Sequence, residues 1–228
     1  RDGVRILNSF DLCWILGVKS GFPALHGVDE MHGDERGRKQ KLSVWQLRDV
    51  SDYAPIEAKM PVVENSVTQV APGPFVASAR IVSNGVVTAV HTSVTAQSVG
   101  SIILKPGFTG FLLPLRWAGE FILNGALATP NTIHAPVDEV SMHTRGGQRE
   151  QIGCVLPRAR FVETVAALCG ADPDALALHE GALELAPAAS RRLRQQLLAI
   201  VDRGVHVDLK PDSGCATFDL TNEIFELM

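Results

Sequence analysis

Short apolar stretches separated by turn residues run through residues 65–157, and this spacing limits the fold more than any other feature. The clearest turn is Asn84-Gly85, because Asn-Gly between two apolar runs is the strongest short hairpin signal. A second Asn-Gly pair follows at Asn124-Gly125. Short strands at intervals of about 8–12 residues, with Gly, Pro and Asn between them, are typical of an antiparallel sandwich or barrel. The regular alternation of strands and helices that builds a parallel sheet is not found.

Apolar and polar residues alternate along these stretches, as expected for strands with one face buried. Along residues 86–95, Val87, Ala89 and His91 share one face. We expect strands at residues 66–70, 75–83, 86–95, 100–104, 111–113, 120–123, 139–143 and 151–156.

After residue 157 the apolar residues change to a helical period. A helix beginning near Phe161 ends at Gly170, and a longer helix over residues 188–202 ends at Gly204. Residues 218–227 predict a last helix after a Pro- and Gly-containing linker.

The long helix is amphipathic. Leu193, Leu197 and Ile200 lie on its apolar face, opposite an arginine-rich face. The apolar face packs either on the strands of the same chain or on a second copy of it, and the sequence leaves both open.

The chain therefore divides into four segments. Residues 1–64 form a poorly assignable extension, which contains a mixed-charge stretch at residues 28–41. Residues 65–157 form the β-domain and residues 158–205 a helical tail. Residues 206–228 form a linker and the start of a further helix.

Composition excludes several classes of protein. Hydrophobic residues make up 46% of the 228 residues and charged residues 20%, which is enough apolar surface for a packed core. A net charge of −4 argues against nucleic-acid binding through the overall field of the protein. No apolar run reaches the ~18 residues that span a bilayer, so no membrane partner is expected.

The cysteines lack the spacing of zinc or redox motifs. None of them forms a C-x-x-C pair, and they fall in contexts typical of ordinary buried thiols. We expect a reducing, cytoplasmic compartment. The four residues are Cys13, Cys154, Cys169 and Cys215.

No catalytic motif is present. The chain has no G-x-S-x-G, no glycine-rich phosphate loop and no H-E-x-x-H. A metal site between barrel strands needs several imidazoles and a carboxylate that converge, whereas His91 stands alone on its strand and His134 and His143 fall on later elements. We therefore expect no catalytic residue, no metal ligand and no cofactor.

The order of turns resembles the sensor domain of AraC-type transcription regulators over residues 65–205. The resemblance rests on turn and pattern motifs in a fixed order. They are Gln69-Val70-Ala71-Pro72-Gly73-Pro74-Phe75, Lys105-Pro106-Gly107-Phe108-Thr109-Gly110-Phe111, Trp117-Ala118-Gly119-Glu120, Leu123-Asn124-Gly125, Pro130-Asn131-Thr132-Ile133 and Arg145-Gly146-Gly147.

This resemblance implies a mainly β fold with α: an antiparallel, cupin-like β-barrel or sandwich followed by a helical dimerisation tail. It implies a homodimer that binds a small-molecule effector in the barrel and acts on DNA only through a helix-turn-helix domain. In the family that domain begins after a linker such as the one at Pro211, so we expect it to be absent from the chain that ends at Met228. The expected function is effector sensing, not catalysis.

Candidate effector-binding residues are His91, Arg116, Trp117 and Asn124, each of which is also open to a structural role, Asn124 as a turn residue. Candidate dimer contacts are Leu193, Leu197 and Ile200. The alternatives are a cupin-fold enzyme acting on a small metabolite, and a partner-binding domain whose barrel is filled.

Overall fold

The computed structural model describes residues 42–60, 62–136, 141–169, 172–173, 182–209 and 218–227. Within them it has twelve strands and four helices. The strands are β1 Ser43–Val50, β2 Val62–Gln69, β3 Ala77–Ser83, β4 Thr88–Val94, β5 Ser98–Leu104, β6 Phe108–Trp117, β7 Phe121–Leu123, β8 Ala126–Leu127, β9 Thr132–His134, β10 Ser141–Gly146, β11 Arg149–Pro157 and β12 Ala182–Glu184. The helices are α1 Ala54–Glu57, α2 Arg158–Cys169, α3 Pro187–Leu209 and α4 Leu220–Phe225.

Two antiparallel sheets contain all of these strands. The larger has seven strands in the order β1-β3-β4-β11-β6-β9-β12, and the smaller has five in the order β2-β5-β10-β7-β8. The sheets face each other as a sandwich and do not close into one continuous hydrogen-bonded barrel. The prediction of a mainly antiparallel β fold with helices is confirmed, and of its two forms, barrel or sandwich, the sheets form the sandwich.

Both Asn-Gly turns form where the sequence predicts them. Asn124 and Gly125 have φ values of 50° and 79° and join β7 to β8, as a two-residue hairpin requires. The turn at Asn84 is longer than expected, since β4 begins at Thr88. The Asn84 side chain fills this turn by accepting hydrogen bonds from the amides of Val86 and Val87.

Strand β1 lies within the segment that the sequence analysis left unassigned. It pairs along β3 and forms one edge of the larger sheet. Strand β6 is also much longer than the predicted residues 111–113 and pairs with most of β11. Residues 137–140, where a predicted strand begins, lie outside the described residues, as do the linker, Cys13 and Cys215.

Helix α3 packs its apolar face on the outer face of the larger sheet. Leu197, Ile200 and Val201 are buried in one cluster with Val82 of β3 and Ile152 of β11. Helix α4 joins the same cluster. Of the three candidate dimer contacts, Leu197 and Ile200 are 0% and 1% exposed, so the expectation that they contact a partner is corrected: they fill the core of their own chain. Leu193 is half-buried at the edge of the cluster.

Gly204 does not end the helix, contrary to the sequence-based expectation, because α3 continues to Leu209. A Cβ atom at Gly204 would lie 2.6 Å from Cγ1 and 2.9 Å from Cγ2 of Val82. Glycine is therefore needed for the close approach of helix and sheet.

No helix in the described part of the chain is long and apolar enough to cross a membrane.

Candidate functional site

A group of polar side chains is buried between the two sheets, and we call Tyr53, Asn65, Thr92, Arg149 and Gln151 the interior polar cluster. Strand alternation explains why they meet there. Arg149 and Gln151 are two apart on β11, and Gln151 is the direct partner of Thr92 on β4. Asn65 comes from β2 in the opposite sheet, and Tyr53 precedes α1. All five are at most 8% exposed.

Several buried polar atoms in this interior have no hydrogen-bond partner among the described residues. Within the cluster they are Asn65 Oδ1, Gln151 Oε1 and Arg149 Nε, and Ser98 Oγ on β5 joins them. A buried polar atom left without a partner costs about 1–3 kcal/mol, and most buried polar atoms in proteins are paired. The partners of these atoms are therefore expected to be water or a bound molecule.

Arg149 is the only charged member of the interior polar cluster. Its Nη1 donates to the carbonyl oxygens of Gly146 and Gly147, at 3.1 and 3.2 Å. Its guanidinium carbon lies 5.6 Å from the centre of the Phe121 ring. Burial lowers the pKa of Arg149, an effect that nearby Tyr53 partly opposes. No carboxylate of the described residues forms an ion pair with this guanidinium.

Tyr53 links the two halves of the cluster. Its hydroxyl interacts with Asn65 of the smaller sheet and Thr92 of the larger one. Burial raises the pKa of Tyr53, while the charge of Arg149 and the contacts with Asn65 and Thr92 act against that rise. The phenol is therefore a neutral hydrogen-bonding group at neutral pH.

His134 of β9 is a further buried polar side chain. It is 0% exposed, and neither ring nitrogen has a hydrogen-bond partner among the described residues. It pairs with Leu112 of β6, whose side chain belongs to the apolar cluster around Phe121 and Leu123. Burial lowers the pKa of His134 to about 4, although the nearby Glu184 carboxylate acts in the opposite direction. The imidazole is therefore neutral at pH 7.

His91 and Arg116, two of the candidate effector ligands, lie on the opposite face of the larger sheet. There they form a row across four strands, the outer polar row of Arg80, His91, Glu150 and Arg116. Glu150 Oε1 lies 2.7 Å from His91 Nε2, and Glu150 Oε2 accepts from Arg116 Nε at 2.7 Å. The expectation that these two residues line the interior is corrected, because strand alternation turns them toward the face that carries α3.

The hydrogen bonds fix the tautomer of His91. Arg80 can only donate, and its Nη2 lies 2.8 Å from His91 Nδ1. Nδ1 is therefore the acceptor, and Nε2 carries the hydrogen that is donated to Glu150. Burial lowers the pKa of His91, which the hydrogen bond with Glu150 only partly opposes. Arg80 also pairs with Asp202, which connects the row to α3.

A surface cleft of about 280 Å³ adjoins this row. It is bounded by β1, β3 and β4, with Gln46, Arg80 and His91 among its walls. Two of its polar side chains already have partners within the chain: His91 contacts Arg80 and Glu150, and Arg80 also pairs with Asp202.

The remaining two candidates differ from each other. Trp117 lies on the inner face of β6 as the register partner of Arg149, and its ring centre is 6.3 Å from that of Phe121. It therefore borders the interior polar cluster. Asn124 has a structural role: its side chain accepts from the His143 amide and donates to the Ala135 carbonyl.

Sequence reasoning missed the cluster itself. Arg149 precedes the predicted strand over residues 151–156, so its alternation with Gln151 was not recognised. The available signal was a charged residue and an amide two positions apart at the start of a strand that continues with Gly153.

Within the described ranges, no three His, Cys, Asp or Glu side chains come together as a metal-ligand set.

No protein-family model matches this chain, and no curated protein matches its sequence. Among solved structures, the AraC-like transcriptional activator CuxR is similar with a TM-score of 0.51 at 11% identity, over 81% of this chain and 67% of that one. Ectoine synthase from P. lautus has a TM-score of 0.29 at 15% identity, over 36% of this chain and 64% of that one. KdgF from Halomonas sp. has a TM-score of 0.29 at 17% identity, over 41% and 86%. At these identities the likeness to CuxR shows a shared fold, and the other two carry no argument.

Proposed function

We propose that this chain is the effector-sensing domain of an AraC-like transcription regulator and that it binds a small molecule between its two sheets. The observation that carries the proposal is the interior polar cluster, with unpartnered buried atoms on Asn65, Gln151 and Arg149. Folded proteins rarely leave such groups unpaired in the core without a functional reason. The fold shared with the activator CuxR supports a regulatory role.

The same strands offer a route for the signal. On β11, Gln151 belongs to the interior polar cluster, and the next residue, Ile152, contacts the core under α3. On β4, Thr92 likewise belongs to the interior polar cluster, and the preceding residue, His91, belongs to the outer polar row on the other face. A ligand that binds Gln151 or Thr92 and displaces its strand therefore also displaces the surface on which α3 packs. Such a change acts as a switch only if the ligand favours one packing arrangement over the other.

The proposal includes the parts of the chain and the partners expected from the sequence. Residues 65–157 form most of the sensor, to which β1 and Tyr53 of the preceding segment also contribute. Residues 158–205 form the tail, and DNA is bound through a domain beyond residues 206–228. The regulator acts as a homodimer in the cytoplasm. Since Leu197 and Ile200 are buried, Leu193, which is only half-buried at the edge of the apolar cluster, is the candidate dimer contact that a second copy can reach.

A thermal-shift screen with a small-molecule library of sugars, amino acids, nucleosides and organic acids tests the proposal. We expect at least one class to raise the melting temperature of the wild-type chain, and Asn65→Ala to weaken that effect. Asn222→Ala, on the exposed face of α4, is the matched control and should keep it. A library in which no compound stabilises the protein, or one whose hits are unaffected by Asn65→Ala, contradicts the proposal.

A further inference from the structure

We infer that the molecule bound in the interior carries a carboxylate group and that Arg149 is the residue that binds it. The inference rests on the proposed function and makes it specific, since it gives the chemical class of the effector and the atom that recognises it.

The first argument is the charge of Arg149. The side chain is 3% exposed, and no acidic side chain of the described residues pairs with it. A buried charge without a counter-ion is costly, and buried charges in proteins are normally paired. The other members of the interior polar cluster, Tyr53, Asn65, Thr92 and Gln151, are neutral. The described residues therefore supply no counter-ion, and we infer that the bound molecule supplies it.

The second argument is the geometry of the guanidinium. Nη1 is held by the carbonyl oxygens of Gly146 and Gly147, and the Phe121 ring lies against the group. These contacts fix the orientation of the group but leave Nε without a partner. An arginine presents its N–H groups as a rigid fork that matches the two oxygens of a carboxylate. Nε is therefore the N–H group with which this arginine would bind a carboxylate oxygen.

The neighbouring side chains favour a monoanion with further polar groups. Gln151 Oε1, Asn65 Oδ1 and Ser98 Oγ are unpartnered acceptors, which suit hydroxyl or amine hydrogens elsewhere on the ligand. A phosphate dianion would bring more negative charge than one guanidinium offsets. A neutral sugar would satisfy the amides but leave the charge of Arg149 uncompensated.

The first test compares carboxylates with their amides. The probes are acetate, pyruvate, succinate and benzoate, each measured beside acetamide, pyruvamide, succinamide and benzamide in a thermal-shift assay at constant ionic strength. A carboxylate present at about 100 times its Kd should raise the melting temperature by roughly 5–10 °C. The corresponding amide should bind about 10-fold more weakly, because it replaces a charge-assisted hydrogen bond with a neutral one.

Arg149→Met should abolish the carboxylate effect. Arg145→Met, which removes an exposed arginine on the preceding strand β10, should retain that effect. Stabilisation by sugars or amides that depends on Asn65, with none by carboxylates, overturns this inference and leaves the proposed function standing. A library without any stabilising compound overturns both.

The second test needs no ligand. Gln151→Glu is nearly isosteric and places a carboxylate beside Arg149 inside the chain. If the guanidinium is built to receive an anion, this variant melts at a higher temperature than wild type without ligand and no longer responds to carboxylates. Gln148→Glu adds the same charge at an exposed position between β10 and β11 and should leave both properties unchanged. A lower melting temperature for Gln151→Glu than for Gln148→Glu contradicts the inference.

Discussion

At the scale of single residues, the most informative groups are those whose polar atoms lack partners. His134 is completely buried and its pKa is lowered to about 4 from 6.5, so the native state holds it neutral. The unfolded chain takes up a proton at this residue below about pH 6.5. The stability that the neutral imidazole contributes is therefore present above pH 6.5 and is lost as the pH falls toward 4.

This linkage gives a measurable loss. Between pH 7 and pH 5, protonation of His134 in the unfolded state should lower the free energy of unfolding by about 2 kcal/mol. His134→Leu should remove that part of the pH dependence, as measured by urea unfolding at the two pH values. His143→Leu, at an exposed position of β10, should keep the wild-type pH dependence. Equal pH dependence in wild type and His134→Leu would show that the buried imidazole does not titrate as described.

Residue identities alone could not separate the interior from the outer face. The sequence around His91 is compatible with a side chain on either face of the sheet. Only the position of α3 decides that His91 contacts Arg80 and Glu150 on the outer face. Arg149 was missed for the same physical reason. Its burial depends on a second sheet, contributed by residues far away in the sequence, and no local pattern reports that contact.

At the scale of elements, α3 is placed by its contact with β3. Helix propensity favours alanine over glycine by about 1 kcal/mol, and that preference predicts that the helix ends at Gly204. The structure overrides the preference, because Val82 occupies the space that a side chain at Gly204 would need. Local rules hold where the contacts are local, as at Asn124-Gly125, and fail where two distant elements meet.

Gly204→Ala should therefore destabilise the protein although it favours the helix. Overpacking against Val82 should lower the free energy of unfolding by roughly 1–3 kcal/mol. Adding Val82→Ala to this variant should recover part of the loss, because it removes both methyl groups that lie within 3 Å of the new atom. Ala199→Gly, at an exposed position of the same helix, should cost about 1 kcal/mol from propensity alone. A rise in stability for Gly204→Ala would mean that helix and sheet are not this close.

At the scale of the whole molecule, the larger sheet separates two environments. Its inner face carries the interior polar cluster, and its outer face carries the apolar core under α3 and the outer polar row. Strands β4 and β11 belong to both. This arrangement could be predicted in part: the alternating strands and turns indicated a sandwich, and the helical period indicated a tail. Which residues meet inside required the pairing of β11 with β4 and the position of β2.

The most direct test of the account is a crystal structure of the chain with the compound that gives the largest thermal shift. The account predicts that the compound lies between the two sheets, with polar atoms within hydrogen-bond distance of Gln151 and Asn65. Binding in the cleft beside His91, with the interior polar cluster unchanged, would contradict it.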